Sequence, residues 1–303
     1  MRTEILTFIL SLALAIPAIS QDTPEPVEVA KLATYTENPV FDKKGNLYVS
    51  EPHQGPITRI TSSGEISVWT ELGNPTGHKI LEDGTHLVCD VNRKVILKFD
   101  PYGNEIGEVI TECSGRLLGI PNDLALDEYG GFYFTDSKVL NDSIGIVGYV
   151  DGNGQSLLVA ELDGFPNGIA LSADGKVLHV ALSGKNQILS YLVISPGKVG
   201  KQEVFAKLPE REDGEWSGPD GIAFDKAGNL YVAHYEMGQI QVLSPKGKLI
   251  KSLPAGQRRV TNITFGGPEG DQLYITGCPN ELQKSGYVYK LDLSKLNYET
   301  SRK

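Results

Sequence analysis

The chain has 303 residues, 40% apolar, 22% charged and 8% aromatic, a balance that suits a folded globular protein and excludes a disordered, collagenous or coiled-coil chain. Its 28 basic and 38 acidic side chains leave a formal net charge of −10, which argues against nucleic acid or an anionic lipid surface as the partner. Thirty-four Gly and 17 Pro predict short elements with frequent turns, and three Cys supply neither a disulfide framework nor a Cys-x-x-Cys zinc pair.

The chain opens on an export signal. Arg2 precedes the apolar run Ile5 to Ile16, Pro17 breaks it, and Ala18-Ile19-Ser20 offers small residues for cleavage. The run falls short of the roughly 20 apolar residues needed to span a bilayer. Residues 1–20 are therefore expected to be a signal peptide, with 21–303 as one domain, secreted or periplasmic, with no membrane partner after cleavage. In such a compartment at least one of the three Cys stays free. Cys89, in the run His86-Leu87-Val88-Cys89, is expected as core filler, and the roles of Cys113 and Cys278 stay open.

After a loose lead at 21–26, the chain repeats six times. Glu37 to Val49 aligns without a gap on Asp220 to Val232, sharing Phe-Asp-Lys and Gly-Asn-Leu-Tyr-Val. Pro75-Thr76-Gly77, Pro121-Asn122-Asp123 and Pro166-Asn167-Gly168 open three further copies, and Thr261-Asn262-Ile263 opens the sixth. Six copies over the mature chain are about 47 residues each, the length of a four-stranded propeller blade. In the fifth copy the predicted strands are Gly221–Phe224, Leu230–His234, Gln239–Leu243 and Leu249–Leu253, separated by Gly turns with Asp or Asn. The sixth copy lacks its last strand, and Glu28-Val29-Ala30-Lys31-Leu32 resembles the last strand of the fourth, Glu203 to Leu208. The expected architecture is an all-β, six-bladed propeller closed by an N-terminal strand that completes the last blade and covers its edge.

One position opens the inner strand of every copy: Glu37, Thr76, Asn122, Asn167, Asp220 and Thr261. In a propeller these side chains point at the axis from one mouth. Glu37, Asn122, Asn167 and Asp220 then form an all-oxygen set for a divalent metal, Ca²⁺ first, with Zn²⁺, Mg²⁺ or Mn²⁺ as alternatives. Without a cation the two carboxylates would repel at close quarters. A single Pro-Asn-Gly is a turn signal; the same register in four copies raises it to a ligand column. The loops after the second strands share that mouth, so His53 and His234 are candidate substrate contacts, as are Thr76 of the column and Trp216 on the loop 211–217.

The motifs Glu37-Asn38-Pro39-Val40-Phe41-Asp42, Pro121-Asn122-Asp123, Pro166-Asn167-Gly168-Ile169-Ala170 and Gly218-Pro219-Asp220-Gly221 resemble those of the SMP-30/gluconolactonase/LRE-like family. Gly130-Gly131-Phe132-Tyr133-Phe134-Thr135-Asp136 is similar to its bacterial Drp35-like lactonases, and Val260 to Pro268 to its final-blade motif. The resemblance covers nearly all of residues 30–293. It implies a six-bladed propeller with a divalent cation in the central tunnel that hydrolyses lactones or, in some relatives, organophosphates. It places the metal ligands on Glu37, Asn122, Asn167 and Asp220 and the acid/base role on Asp220, with Asp136 as second choice for the proton. Sugar-lactonase members carry Arg two residues before the third-blade asparagine; here that residue is Ile120, and Arg116 lies further off.

The expected function is a metal-dependent hydrolase opening lactone rings, of the gluconolactonase type, with a small lactone or ester as substrate. The alternative is an NHL-like binding platform with a structural ion, on the likeness of Gly221 to Asp225 and Gln239 to Leu243 to an NHL repeat. A strictosidine-synthase-like chemistry ranks below both, because it needs no metal ligand set.

Overall fold

The computed structural model describes residues 23–53, 55–138, 143–279, 285–294 and 296; the signal-peptide segment lies outside them. Six antiparallel sheets follow one another along the chain. Their first strands are Glu37–Phe41, Pro75–Ile80, Pro121–Leu126, Pro166–Leu171, Gly218–Phe224 and Arg259–Gly266. Each first strand packs against the first strands of both neighbouring sheets, and the sixth meets the first. The sheets are thus blades of a closed propeller, and the first strands line its axis.

The closure is the one expected. Blade 6 holds Arg259–Gly266, Gln272–Cys278 and Gly286–Asp292, and its fourth strand is the N-terminal Val27–Leu32, with Val27 opposite Lys290 and Leu32 opposite Gly286. An edge that would otherwise expose unpaired backbone groups is covered by the distant end of the chain. Strand positions in the fifth copy agree with the sequence to within three residues at each end. Two additions have no counterpart in the repeat: a hairpin, Glu112–Cys113 with Arg116–Leu117, between blades 2 and 3, and the short strand Lys198–Val199 on blade 4.

The core lies between blades. Leu87, Cys89 and Ile96 of blade 2 pack on Leu124, Phe134 and Ile146 of blade 3, and Tyr231 and Ile240 of blade 5 on Ile263 and Ile275 of blade 6. Each such side chain contributes about 1.5–3 kcal/mol by leaving water. Cys89, Cys113 and Cys278 are all buried free thiols, and Cys89 is core filler as its strand context predicts.

The turn between first and second strands has a local cause. In blade 1 the Asp42 carboxylate accepts hydrogen bonds from the N–H of Lys44 (2.9 Å) and Asn46 (2.8 Å) and from the Asn46 amide (2.7 Å), and Gly45 takes a φ of +79°. Asp225, Ala227 and Asn229 repeat this in blade 5. These Asx turns set one face of the disc. The opposite face carries the site.

Candidate active site

Every inner strand is irregular near its start. Register shifts fall between Glu37 and Val40, Pro75 and His78, Pro121 and Leu124, Pro166 and Ile169, Pro219 and Ile222, and Val260 and Asn262. A bulge in each strand turns the aligned residue out of the pleat and toward the axis. Glu37, Thr76, Asn122, Asn167 and Asp220 accordingly line one cavity of about 510 Å³ at one mouth of the tunnel.

The backbone beside each oxygen donor is fastened from the preceding blade. Thr261 Oγ1 donates to the Thr36 carbonyl (2.7 Å), Thr76 Oγ1 to Pro121 (2.8 Å), Ser137 Oγ to Pro166 (2.7 Å) and Ser183 Oγ to Pro219 (2.6 Å). These carbonyls belong to the residues directly before Glu37, Asn122, Asn167 and Asp220. Four donors from four blades are thus referenced to one frame by hydroxyls that replace solvent for otherwise buried carbonyls.

A second ring lies one residue inward: Asn38, Gly77, Asp123, Gly168, Gly221 and Asn262. A β-carbon at Gly77 would collide with the Asn122 carbonyl, one at Gly168 with the Asp220 carbonyl, and one at Gly221 with the Asn262 amide. Glycine is required here by close approach of backbones around the axis. Asn38, with φ +42°, donates from Nδ2 to Asp123 Oδ1 (2.9 Å). Asp123 is a residue of the centre that sequence reading passed over. Its signal was the alternation of Gly with Asn or Asp in that column.

The electrostatics of the cavity floor would suit a cation. Burial, with the Asp123 charge second, pushes the Glu37 carboxyl up to about 8. Burial and the neighbouring Glu37 and Asp123 charges hold the Asp220 carboxyl well above the usual range. Asp220 is buried, and its Oδ1 has no hydrogen-bond partner among the described residues. Ionised carboxylates this close and this dry are costly unless a positive charge lies between them. The donors are all hard oxygens, two carboxylates and two amides, which fit Ca²⁺ or another hard divalent ion. Among the described residues no three His, Cys, Asp or Glu side chains gather to hold a metal; the amides of Asn122 and Asn167 line the cavity beside Glu37 and Asp220.

The rim separates the predicted substrate contacts. His53 and Trp216 line the cavity with Thr76; His53 also packs its ring on Tyr35 (5.6 Å) and Trp216 on Tyr235 (6.0 Å). The Thr76 hydroxyl is committed to the Pro121 carbonyl. His234 is a correction. It is fully buried, its Nε2 lies 3.0 Å from Asn186 Oδ1 and its Nδ1 3.3 Å from Gln241 Nε2, and burial lowers it to about 4. Strand alternation sends its neighbour Tyr235 to the cavity instead.

Asp136 is the second correction. Its carboxylate accepts the N–H groups of Gly119 (2.7 Å), Ile120 (2.8 Å) and Lys138 (3.2 Å), and it does not line the cavity. It holds the loop that delivers Ile120 to the wall. Tyr35 and Tyr235 were missed by the sequence reading. Both border the cavity, burial raises both phenols, and the Tyr35 hydroxyl hydrogen-bonds Glu37.

With this geometry in place, the comparisons are decisive on ancestry. The SMP-30/gluconolactonase/LRE-like region matches residues 35–278. The chain belongs to that family. The lactonase drp35 of Staphylococcus saprophyticus is 31% identical over 293 residues, covering 89% of this chain and 88% of its own. The same fold recurs in a Xanthomonas campestris gluconolactonase (TM-score 0.77, 22% identity, 90% and 91% of the two chains). It recurs also in the calcium-binding protein regucalcin of Agrobacterium tumefaciens (TM-score 0.74, 18% identity, 89% and 94%). Ile120 lines the cavity, while Arg116 pairs with Glu161 outside it.

Proposed function

We propose that this protein is a metal-dependent lactonase that opens neutral lactones with an apolar body. The observation that carries the reading is the convergence of Glu37, Asn122, Asn167 and Asp220 on one cavity floor, with two buried carboxylates in need of a cation. The 31% identity to a lactonase over most of both chains supports ring-ester hydrolysis. The substrate class follows from the wall: Pro52, Val91, Ile120, Phe165 and Trp216 are apolar, and no Lys or Arg is among the lining residues. A polyhydroxylated or anionic lactone would leave its polar groups unpaired against that surface. A cavity of about 510 Å³ is in the usual range for a small organic ligand.

Glu37, Asn122, Asn167 and Asp220 would hold the ion. When bound, a divalent cation supplies positive charge for the oxyanion that develops on the lactone carbonyl. Asp220 takes the proton of the attacking water and returns it to the ring oxygen as the carbonyl carbon–oxygen bond breaks, so that the product is a hydroxy acid. Tyr35 orients Glu37 through its hydroxyl, and Trp216 with Tyr235 shields the site from bulk water.

The test is hydrolysis of an apolar bicyclic lactone, gluconolactone, an aryl ester and an organophosphate by the purified protein. It is run with chelator, with Ca²⁺, Zn²⁺, Mg²⁺ or Mn²⁺ restored, and for Asp220→Asn. The expected result is turnover of the apolar lactone that chelator abolishes and the variant lacks. Activity indifferent to both changes, or bound Ca²⁺ without turnover of any substrate, would reject the reading.

A further inference from the structure

The loop that brings Trp216 to the cavity, residues 209–217, has no strand pairing among the described residues. Its position is set from outside. Asn186 Nδ2 donates to the Pro209 carbonyl (3.0 Å) and holds the root of the loop. Further along, Arg211 Nη1 donates to the Glu236 carbonyl (3.1 Å) and lies 3.4 Å from Glu236 Oε2. The same guanidinium pairs with Asp213, through Nε to Oδ1 (2.8 Å) and through Nη2 to Oδ2. Asp213 Oδ1 accepts the N–H of Glu215 (3.1 Å), the residue directly before Trp216. A continuous line of polar contacts thus joins Glu236 to the backbone that carries the indole.

Glu236 holds more than one arm. Arg259 Nε lies 2.6 Å from its Oε1 and Arg258 Nε 2.7 Å from its Oε2. Three guanidinium groups share one carboxylate, whose side chain is 14% exposed against 11% for Arg211. Isolated surface ion pairs add little, but a partly buried network around a shared acceptor is screened far less. Glu236 also stands in left-handed backbone, φ +66°, which is costly for a residue with a side chain. Its neighbour Tyr235 packs on Trp216. Arg259 is fixed in the blade 6 sheet opposite Cys278, whereas Arg211 belongs to no strand. Without the carboxylate the three like charges repel, and the arm on the loop is the one that leaves.

We propose that Glu236 is a positioning residue: through Arg211 and Asp213 it holds Trp216 against the cavity and so sets the affinity for an apolar substrate. It touches no reacting atom. The kinetic consequence rests on the lactonase reading above; the placement of Trp216 does not.

The experiment compares KM and kcat on the apolar bicyclic lactone for wild type, Glu236→Gln, Arg211→Met, Trp216→Ala and the Glu236→Gln, Trp216→Ala double variant. Acrylamide quenching of Trp216, taken as the difference from Trp216→Phe, follows the indole without any substrate; Trp69 is the other tryptophan. Circular dichroism confirms that each variant folds. If Glu236→Gln does not, Arg211→Met alone replaces it in every arm, since it removes only the loop's side of the contact. Either variant is expected to raise KM about threefold to tenfold, leave kcat within about twofold and make Trp216 about twice as easily quenched. With Trp216 already removed, Glu236→Gln should move KM by less than about twofold, because a residue that acts through another has no effect once that one is gone. The full KM effect persisting in the Trp216→Ala background would overturn the proposal. So would quenching unmoved in both Glu236→Gln and Arg211→Met. A wild-type protein that opens no lactone would overturn the functional reading, and the quenching would still decide whether Glu236 holds Trp216.

Discussion

The two faces of the disc are built on opposite principles. On the turn face, each Asp caps its own loop: Asp42 and Asp225 bond N–H groups two and four residues ahead. On the cavity face, each functional residue is fixed from a different blade, as Asp220 is through Ser183 and the Pro219 carbonyl. One acidic side chain type therefore has two fates. A carboxylate surrounded by its own N–H donors is held low, as Asp42 is despite the opposing effect of partial burial. At the axis, burial and the neighbouring Glu37 and Asp123 charges outweigh the hydrogen bond from Asn167, and Asp220 rises. The turn face spends acids on local folding; the cavity face buries Glu37 and Asp220 beside each other at the axis.

Substitutions can break this contrast. Asp220→Asn should lower kcat for an apolar lactone by about 10²–10³, the usual cost of losing one group acting on the transition state. Asp225→Ala, only five residues away, should leave kcat within twofold and cost about 1–2 kcal/mol in urea unfolding by loss of the Asx turn. Equal loss of activity in both would mean that the faces are not functionally separate.

Next in size is a pH effect that distinguishes the stripped protein from the loaded one. The Glu37 carboxyl is raised from 4.5 to about 8 in the folded chain, so between those values the folded state holds a proton that the unfolded state has lost. Stability then falls as pH rises through that window, and all of this contribution is present below about pH 4.5. The melting temperature of chelator-stripped protein should drop by several degrees from pH 5 to pH 8. Added Ca²⁺ should recover it at pH 8 and do little at pH 5. A stripped protein with a flat or rising profile would show that Glu37 is not held protonated by burial.

Ser183→Ala probes the stitching between blades. Leaving the Pro219 carbonyl unpaired should cost about 1–2 kcal/mol. Asp220 would shift, and kcat should fall about tenfold while KM changes little. The smallest effect is at the wall: Trp216→Ala should raise KM for apolar lactones about threefold to tenfold and spare kcat, because Trp216 lines the cavity and carries no group that could act on the reacting bond. A fall in kcat as large as that for Asp220→Asn would move Trp216 into the chemistry.

Reading the sequence worked where the signal was periodic. The six copies, the register of the axial column and the displaced strand near Glu28 are all properties of spacing, and spacing survives in one dimension. It failed where a side chain's direction decided the matter. His234 and Tyr235 are adjacent, and only the pleat shows that the histidine turns to Asn186 while the tyrosine faces the cavity. Asp136 resembled a catalytic acid until its three N–H donors were seen to occupy it.

The chain alone determined the propeller, because each blade's hydrophobic alternation and Asx turns are local and repeat often enough to be counted, and its motifs carry the resemblance to the family. Tertiary structure alone decided which oxygens stay unsatisfied. Asp123 meets Asn38 and Lys79 across separations of 85 and 44 residues, and Asp220 Oδ1 has no partner among the described residues. Charge at the hub is a sum over distant blades, and no segment of the sequence contains it.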